Sequence, residues 1–395
     1  MSQNPHQVFN SPEDSGRWDK YILECDFIEH LSIEEKRRAK QAIEYLRKVL
    51  GESFLKRAVA EGHPLLRLFL NRAPWTRSKL IGLADALESM RDAENFKTAL
   101  KRIRAVPPKG QDGEFAAGYS VLQMAYRFFR AGLRVRFVDE RRGSHKRPDL
   151  ELFNEETGEE VFVEVSVLRI AAEVKKIQDV NMYMFTHIGR IEATAQVTVY
   201  GEMLKSFDKS CAADVIIRIN HVAADVNVSG ELRELIDEYI AVGIAPRHKL
   251  EELNQRAAER GFSQNFAGPP MSLSEMSRVQ RKIREKLEQL PKDKPGIIVI
   301  PNLSVFLFNF FDLNQIIGEL ESQATDSPNL LAIVLSQGYV DEPLDDITLE
   351  ESGPHIIINR VIAGCINEPI VVVRNRAFAQ SVSPSTLEKI DKAFS

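Results

Sequence analysis

The sequence predicts an α/β (α+β) fold, in which helices flank a mixed central sheet and a helical N-terminal region comes first. Apolar residues recur at helical spacing through residues 1–110. From residue 134 onwards, short segments with strand patterning alternate with helical ones. Residues 297–300 form a continuous apolar run, which is typical of a strand buried on both faces.

The composition is that of an ordinary globular protein. Of 395 residues, 44% are hydrophobic and 28% charged, and 52 basic against 57 acidic side chains give a net charge of -5. These values exclude a collagen-like chain, a disordered chain and a disulfide scaffold. No apolar run reaches the roughly 18 residues of a membrane helix. Because the first residues also lack a secretory signal pattern, we expect a cytoplasmic protein.

The helical N-terminal region has clear helix signals. Ser32 and Glu35 have the spacing of a capping box before a helix over 34–50, and Gly51 ends it. Three further helices are predicted at 64–71, 78–91 and 94–104. A break rich in proline and glycine at 107–113 then places the first domain boundary at residue 110.

The predicted core begins after this break. A helix over 114–131 precedes strands at 134–138, 148–153 and 161–168, and a helix at 170–190 follows. Later in the chain, a helix at 275–290 precedes strands at 297–300, 330–335, 356–362 and 369–373. We expect the core to comprise 111–219 and 271–395, with an insertion at 220–270. Around this insertion 214–220 is strand-like, and 231–239 and 249–260 are helical.

One hairpin of this core suggests chemistry. Alternate strand residues share a face, so pairing of 148–153 with 161–168 would bring Asp149 and Glu164 within a few ångströms. Two such carboxylates need a cation between them, and Mg²⁺ or Mn²⁺ suits carboxylate oxygens. Such an ion activates water and stabilises the leaving oxygen in phosphodiester cleavage. The simpler alternative is that both acids belong to the solvent face of the hairpin.

The segment KRPDLELFNEETGEEVFVEVSVL (146–168) and the helix before it resemble the PD-(D/E)XK, or restriction-endonuclease-like, nuclease superfamily. The resemblance implies a metal-dependent nuclease of DNA or RNA, acting in defence or repair. It assigns metal binding to Asp149 and Glu164, with Glu114 as a further acid on the first helix. It leaves residues 1–110 and the insertion unexplained.

Ser166 occupies the position of the superfamily lysine, which orients the attacking water and offsets transition-state charge. A serine hydroxyl donates a hydrogen bond but carries no positive charge. We therefore expect Ser166 to act with a lysine from elsewhere, and choose Lys146 and Lys282. Lys175 and Lys176, in the helix after the hairpin, are another source. A third is the helix face formed by Arg278, Lys282, Lys286 and Gln289, because that helix resembles the Lys- and Gln-bearing helix of some members.

A basic segment precedes the hairpin. Arg141, Arg142, Lys146 and Arg147 are candidates for contacts with nucleic-acid phosphates, although a solvated loop is the alternative. Two other hypotheses are a catalytically inactive nuclease-like module that binds nucleic acid or protein, and an interaction scaffold with an accidental hairpin resemblance. The sequence does not separate DNA from RNA, and it leaves the oligomeric state open, a homodimer included.

Overall fold

The computed structural model of the protein describes residues 12–29, 31–72, 74–105, 113–138, 147–168, 172–261, 266–268, 275–303, 313–337, 347–352, 355–362, 366–367, 370–375, 378 and 381–394. The helices within these residues are α1 (Trp18–Glu24), α2 (Ile33–Leu50), α3 (Phe54–Glu61), α4 (Leu66–Leu70), α5 (Pro74–Ser89), α6 (Phe96–Arg104), α7 (Gly113–Arg130), α8 (Ala172–Ala195), α9 (Lys209–Ser229), α10 (Leu250–Arg260), α11 (Glu275–Leu287), α12 (Leu313–Thr325) and α13 (Pro384–Lys392). The strands are β1 (Arg134–Phe137), β2 (Leu150–Asn154), β3 (Glu159–Val165), β4 (Val197–Met203), β5 (Arg233–Ile236), β6 (Ile240–Pro246), β7 (Phe266–Ala267), β8 (Gly296–Leu303), β9 (Leu330–Gln337), β10 (Ile347–Ser352), β11 (His355–Ile362), β12 (Ile366–Asn367) and β13 (Ile370–Arg374). Helices flank two mixed sheets, which confirms the predicted class.

The chain forms two compact units. The first comprises Met1–Leu168 and Glu275–Ser395, and the second is Arg169–Ser274. The second unit therefore begins well before the insertion that we predicted at 220–270. Within the described residues, no helix combines the length and the apolar character that crossing a bilayer requires.

The larger sheet belongs to the first unit. Its strand order is β1-β2-β3-β8-β9-β13-β11-β10, with β12 paired to β11. Strands β1, β2 and β3 form an antiparallel meander, and β3, β8 and β9 run parallel. The predicted helix at 114–131 is thus α7, and the three predicted strands after it are β1, β2 and β3. The later predicted helix at 275–290 is α11, and the strand that follows it is β8.

Two hydrophobic clusters cover the two faces of this sheet. Val163 and Val299 belong to the first cluster, together with buried residues of α7. Ile298 and Ile300 alternate with them and belong to the second cluster, with residues of α11 and α12. The central strands are therefore buried on both faces, as the apolar run at 297–300 predicts.

The N-terminal helices share the first cluster with the sheet. The capping box of Ser32 and Glu35 forms as predicted at the start of α2. Trp18 and Ile43 pack in the same core as Leu150 and Val163. The predicted boundary at residue 110 lies outside the described residues, and the helices before and after it contribute to one hydrophobic cluster.

The second unit has its own sheet, in the order β5-β6-β4-β7, and its own hydrophobic cluster with α8 and α9. Two sequence predictions here are wrong. The strand-like segment 214–220 lies within α9, because its apolar residues continue a buried helical stripe through Ala212, Val215, Ile219 and Val226. The segment 231–239, predicted to be helical, contains β5, which pairs with β6.

The C-terminal helix α13 is anchored to the β2–β3 hairpin. The Glu159 carboxylate accepts hydrogen bonds from the Ser383 backbone N–H (2.9 Å) and from the hydroxyls of Ser383 and Thr386 (both 2.5 Å). Asn154 Nδ2 donates to Thr386 Oγ1 at 2.7 Å. Burial raises the pKa of Glu159, but these hydrogen bonds outweigh it and leave the pKa below its ordinary value.

We expect Glu159→Gln to lower the stability of the protein by about 1–2 kcal/mol at pH 7, because the charge-assisted bonds to α13 are lost. A lowered folded-state pKa stabilises the fold above the unfolded-state pKa of roughly 4.3, and this contribution is lost as the pH falls through the folded-state value. Urea denaturation should therefore show that the difference in unfolding free energy between the wild type and Glu159→Gln becomes smaller as the pH falls from 7 to 3. Glu155→Gln, on the exposed turn, is the control; an equal difference at both pH limits would contradict the prediction.

Candidate functional site

The site lies at the start of β2 and the end of β3. Asp149 immediately precedes β2, and its N–H donates to Val163 O at 3.0 Å. Its Oδ2 accepts from the Val165 N–H, also at 3.0 Å. These two bonds place Asp149 against residues 163–165 of β3, the segment with Glu164 at its centre.

Asp149 is buried beside an arginine from the N-terminal helices. Arg102 Nη1, on α6, lies 3.1 Å from Asp149 Oδ1, and the Asp149 side chain is only 7% exposed. One carboxylate oxygen therefore meets a guanidinium and the other a backbone N–H.

Glu164 is buried beside a lysine from α11. Its side chain is 2% exposed, and Lys286 Nζ lies 2.5 Å from its Oε1. With its amide nitrogen towards Glu164, Gln289 donates to the same Oε1 at 3.2 Å and accepts from Lys286 Nζ at 2.9 Å. Glu164, Lys286 and Gln289 thus form one polar cluster.

The two cations come from different sides of the sheet. Ala99 and Ile103 of α6 pack in the first hydrophobic cluster, whereas Ile283 of α11 packs in the second. Arg102 and Lys286 extend from these two helices to the acids of one hairpin. The site consequently holds two buried acids and two cations, whose formal charges balance.

Ser166 follows β3 and is buried. Its backbone N–H donates to Val299 O at 2.8 Å, which continues the parallel pairing of β3 with β8. Ser166 is therefore tied to the central sheet by its backbone, and the positive charge beside Glu164 comes from Lys286.

Of the two lysines chosen from the sequence, Lys146 lies outside the described residues, and Lys282 is not the lysine that contacts Glu164. Lys282 lies one turn before Lys286, and its Nζ is 3.4 Å from Glu285 Oε2 in an exposed pair. The sequence singled out Lys286 and Gln289 as part of one helix face. In the structure Lys286 lies on α11, whereas Gln289 lies in the turn after its end at Leu287. Helical spacing alone did not show which lysine reaches β3.

The other predicted residues have different outcomes. Glu114 is exposed in the first turn of α7. Among the described residues, no three Asp, Glu, His or Cys side chains form a group that could hold a metal ion, so Glu114 does not join Asp149 and Glu164. Arg147 is exposed just before β2. Arg141, Arg142 and Lys146 lie outside the described residues.

Arg102 is the site residue that sequence reasoning missed. It precedes Asp149 by 47 positions, and no motif links them. A weak signal exists, since α6 carries four basic residues and no acidic one: Lys97, Lys101, Arg102 and Arg104. Any acidic partner of these side chains must therefore come from outside α6.

The donor set fits a hard divalent ion in type and number. Mg²⁺ commonly binds one or two carboxylates and keeps several waters, and Asp149 and Glu164 supply two buried carboxylates. Each carboxylate oxygen has more than one acceptor site, so a contact with Arg102 or Lys286 does not exhaust it. Asp149 and Glu164 are therefore the residues that would hold a metal.

Comparison of the chain with protein-family models, with curated proteins and with solved structures gives no match. The site must therefore be interpreted from its own geometry.

We expect Lys286→Gln to destabilise the protein by about 3 kcal/mol, because it leaves the Glu164 carboxylate buried without its ammonium partner. Lys282→Gln is the matched control: it removes the same charge from an exposed position on the same helix and should change stability by less than about 0.5 kcal/mol. The double variant Glu164→Gln/Lys286→Gln should recover most of the loss. Chemical denaturation measures all three, and equal effects of the two single lysine variants would contradict the expectation.

Proposed function

We propose that the protein is a metal-dependent nuclease that hydrolyses phosphodiester bonds in DNA or RNA. The observation that carries the proposal is the position of Lys286. Its ammonium lies 2.5 Å from Glu164, on the hairpin that also carries Asp149. A lysine from α11 thus supplies the positive charge that Ser166 lacks.

The order of elements supports the same proposal. Helix α7 precedes the antiparallel strands β1, β2 and β3, and the two acids lie on β3 and just before β2. Helix α11 then precedes β8, which pairs in parallel with β3. This order supports the superfamily resemblance of residues 146–168, with Lys286 on α11 and Gln289 in the turn that follows it.

Each residue has a distinct role in the proposed reaction. Asp149 and Glu164 would hold Mg²⁺ or Mn²⁺, which supplies positive charge to the phosphate in the transition state. Lys286 and Gln289 orient the Glu164 carboxylate, and the ammonium offsets negative charge that develops on the phosphate. Ser166 offers a hydroxyl near the end of β3 for positioning water.

The expected substrate partner is the sugar-phosphate backbone. Arg278, Lys282 and Lys286 are spaced four residues apart on α11, so they form a line of cations with a rise of about 6 Å per step. Such a line beginning at Glu164 would bind successive phosphates of one strand. The line of cations does not distinguish DNA from RNA. A cytoplasmic location stays a prediction, and so does a possible homodimer.

The test of the proposal is cleavage of labelled single- and double-stranded DNA and RNA with Mg²⁺ or Mn²⁺. We expect wild-type cleavage to fall at least about 100-fold in Asp149→Asn, Glu164→Gln and Lys286→Gln. The first two variants lose a charged ligand of the metal, and the third loses the cation that offsets charge on the phosphate. Arg284→Gln, on the opposite face of α11, should cleave like the wild type. Equal activity of the Lys286 and Arg284 variants would rule out the relocated lysine.

A second candidate is a catalytically inactive module that retains the fold and binds nucleic acid. Arg102 favours it, because a guanidinium already neutralises Asp149, and so does the serine at position 166. Wild-type protein that binds nucleic acid, fails to bind Mn²⁺ and cleaves nothing would support this candidate over the nuclease.

Both candidates predict salt-dependent binding of nucleic acid along α11. We expect Lys282→Gln to weaken binding and to reduce the slope of log affinity against log salt by about one unit, because one phosphate contact is lost. Arg284→Gln removes the same charge about 200° away around the helix and should leave the slope unchanged. Fluorescence anisotropy across a salt series measures the affinity and the slope for each variant. Equal slopes for the two variants would contradict binding of phosphates along the line of Arg278, Lys282 and Lys286.

A further inference from the structure

Arg102 is placed at Asp149 by the way in which α6 packs. A Cβ at Gly118 of α7 would lie only 2.5 Å from Arg102 Cβ, so α6 approaches α7 at this point more closely than any larger residue would allow. Next to Arg102, Ile103 is fully buried in the first hydrophobic cluster. At the other end of α6, Asn95 Nδ2 donates to Phe137 O of β1 at 2.9 Å.

The contact is therefore built into the core and is not a surface ion pair. The Arg102 side chain is 24% exposed and Asp149 is 7% exposed, so water screens their attraction less than it would on the surface. A guanidinium is also charged at every physiological pH. Arg102 is thus a permanent counter-charge to Asp149.

This counter-charge affects the metal site that the proposed function requires. In the present arrangement Arg102 and Lys286 neutralise the two acids. A divalent cation at Asp149 would place two further positive charges a few ångströms from the guanidinium, and like charges in a partly buried site repel strongly. Binding of the metal and the Arg102–Asp149 contact consequently oppose each other.

We propose that Arg102 is an autoinhibitory counterion, which competes with the divalent metal for Asp149 and keeps the affinity of the site for metal low. The inference rests on the proposed function, since it concerns the same carboxylates. It gives the N-terminal helical region a part in the site, because α6 supplies the charge that opposes the ion. A metal ion at Asp149 must overcome its repulsion by the guanidinium 3.1 Å from that carboxylate.

The test is calorimetric titration of the full chain with Mn²⁺ alone, without nucleic acid. We expect Arg102→Gln to bind Mn²⁺ about tenfold more tightly than the wild type, since loss of a charge-assisted contact of ordinary strength corresponds to at least that factor. Arg102→Met, which keeps an unbranched stem, should do the same if the Gln variant folds poorly. Lys101→Gln is the matched control, because it removes the same charge from the adjacent exposed position of α6 and should bind like the wild type.

The outcomes separate this inference from the proposed function. Tighter binding in the Arg102 variants, lost again in Arg102→Gln/Asp149→Asn, supports both. Unchanged affinity in the Arg102 variants, with binding lost in Asp149→Asn, overturns the autoinhibitory role and leaves the metal site intact. Equal tightening in Lys101→Gln also overturns it, because the effect would then reflect overall charge. Absence of binding in every variant overturns the inference together with the metal site.

Discussion

The constraint on which the site depends is the burial of Glu164. A carboxylate that is 2% exposed requires a nearby positive charge and hydrogen-bond donors, because an unpaired buried charge is strongly destabilising. Lys286 supplies that charge from a position 122 residues later in the chain. The fold must therefore return α11 to β3, whatever lies between them in sequence.

The parallel pairing of β3 with β8 is what returns α11. Parallel neighbours need a crossover connection, which here includes a helix on one face of the sheet. Buried Val279 and Ile283 fix α11 against that face, and Gln280 ties it to α12 through Glu319 at 2.7 Å. The second unit, Arg169–Ser274, occupies the crossover and has a core of its own, so it extends the connection without altering the strand pairing.

Asp149 has a counter-charge of different origin. Arg102 belongs to a helical region that has no counterpart in the motif of residues 146–168, yet its core is continuous with that of the sheet. The hairpin is further fixed at its turn by α13, through Glu159 and Asn154. Elements from both ends of the chain thus determine the surroundings of a site whose two acids lie on one hairpin.

Local signals in the sequence determined most of the elements. The capping box at Ser32 and the period-two pattern of the hairpin each depend on residues close together in the chain. The same reasoning failed at 214–220, where a β-branched run resembles a strand and only the longer stripe of buried residues shows a helix. Short windows cannot distinguish the two when the apolar run is brief.

The sequence by itself also determined which residues carry the chemical suggestion: Asp149 and Glu164 on one hairpin, and a helix face with Lys282, Lys286 and Gln289. Tertiary structure decided which cation each acid receives. Helical spacing makes Lys282 and Lys286 equivalent, and only the packing of α11 against β8 selects Lys286. Arg102 reaches Asp149 because Gly118 lets two helices approach closely. Such contacts depend on where distant segments pack, and no local pattern in the chain records that.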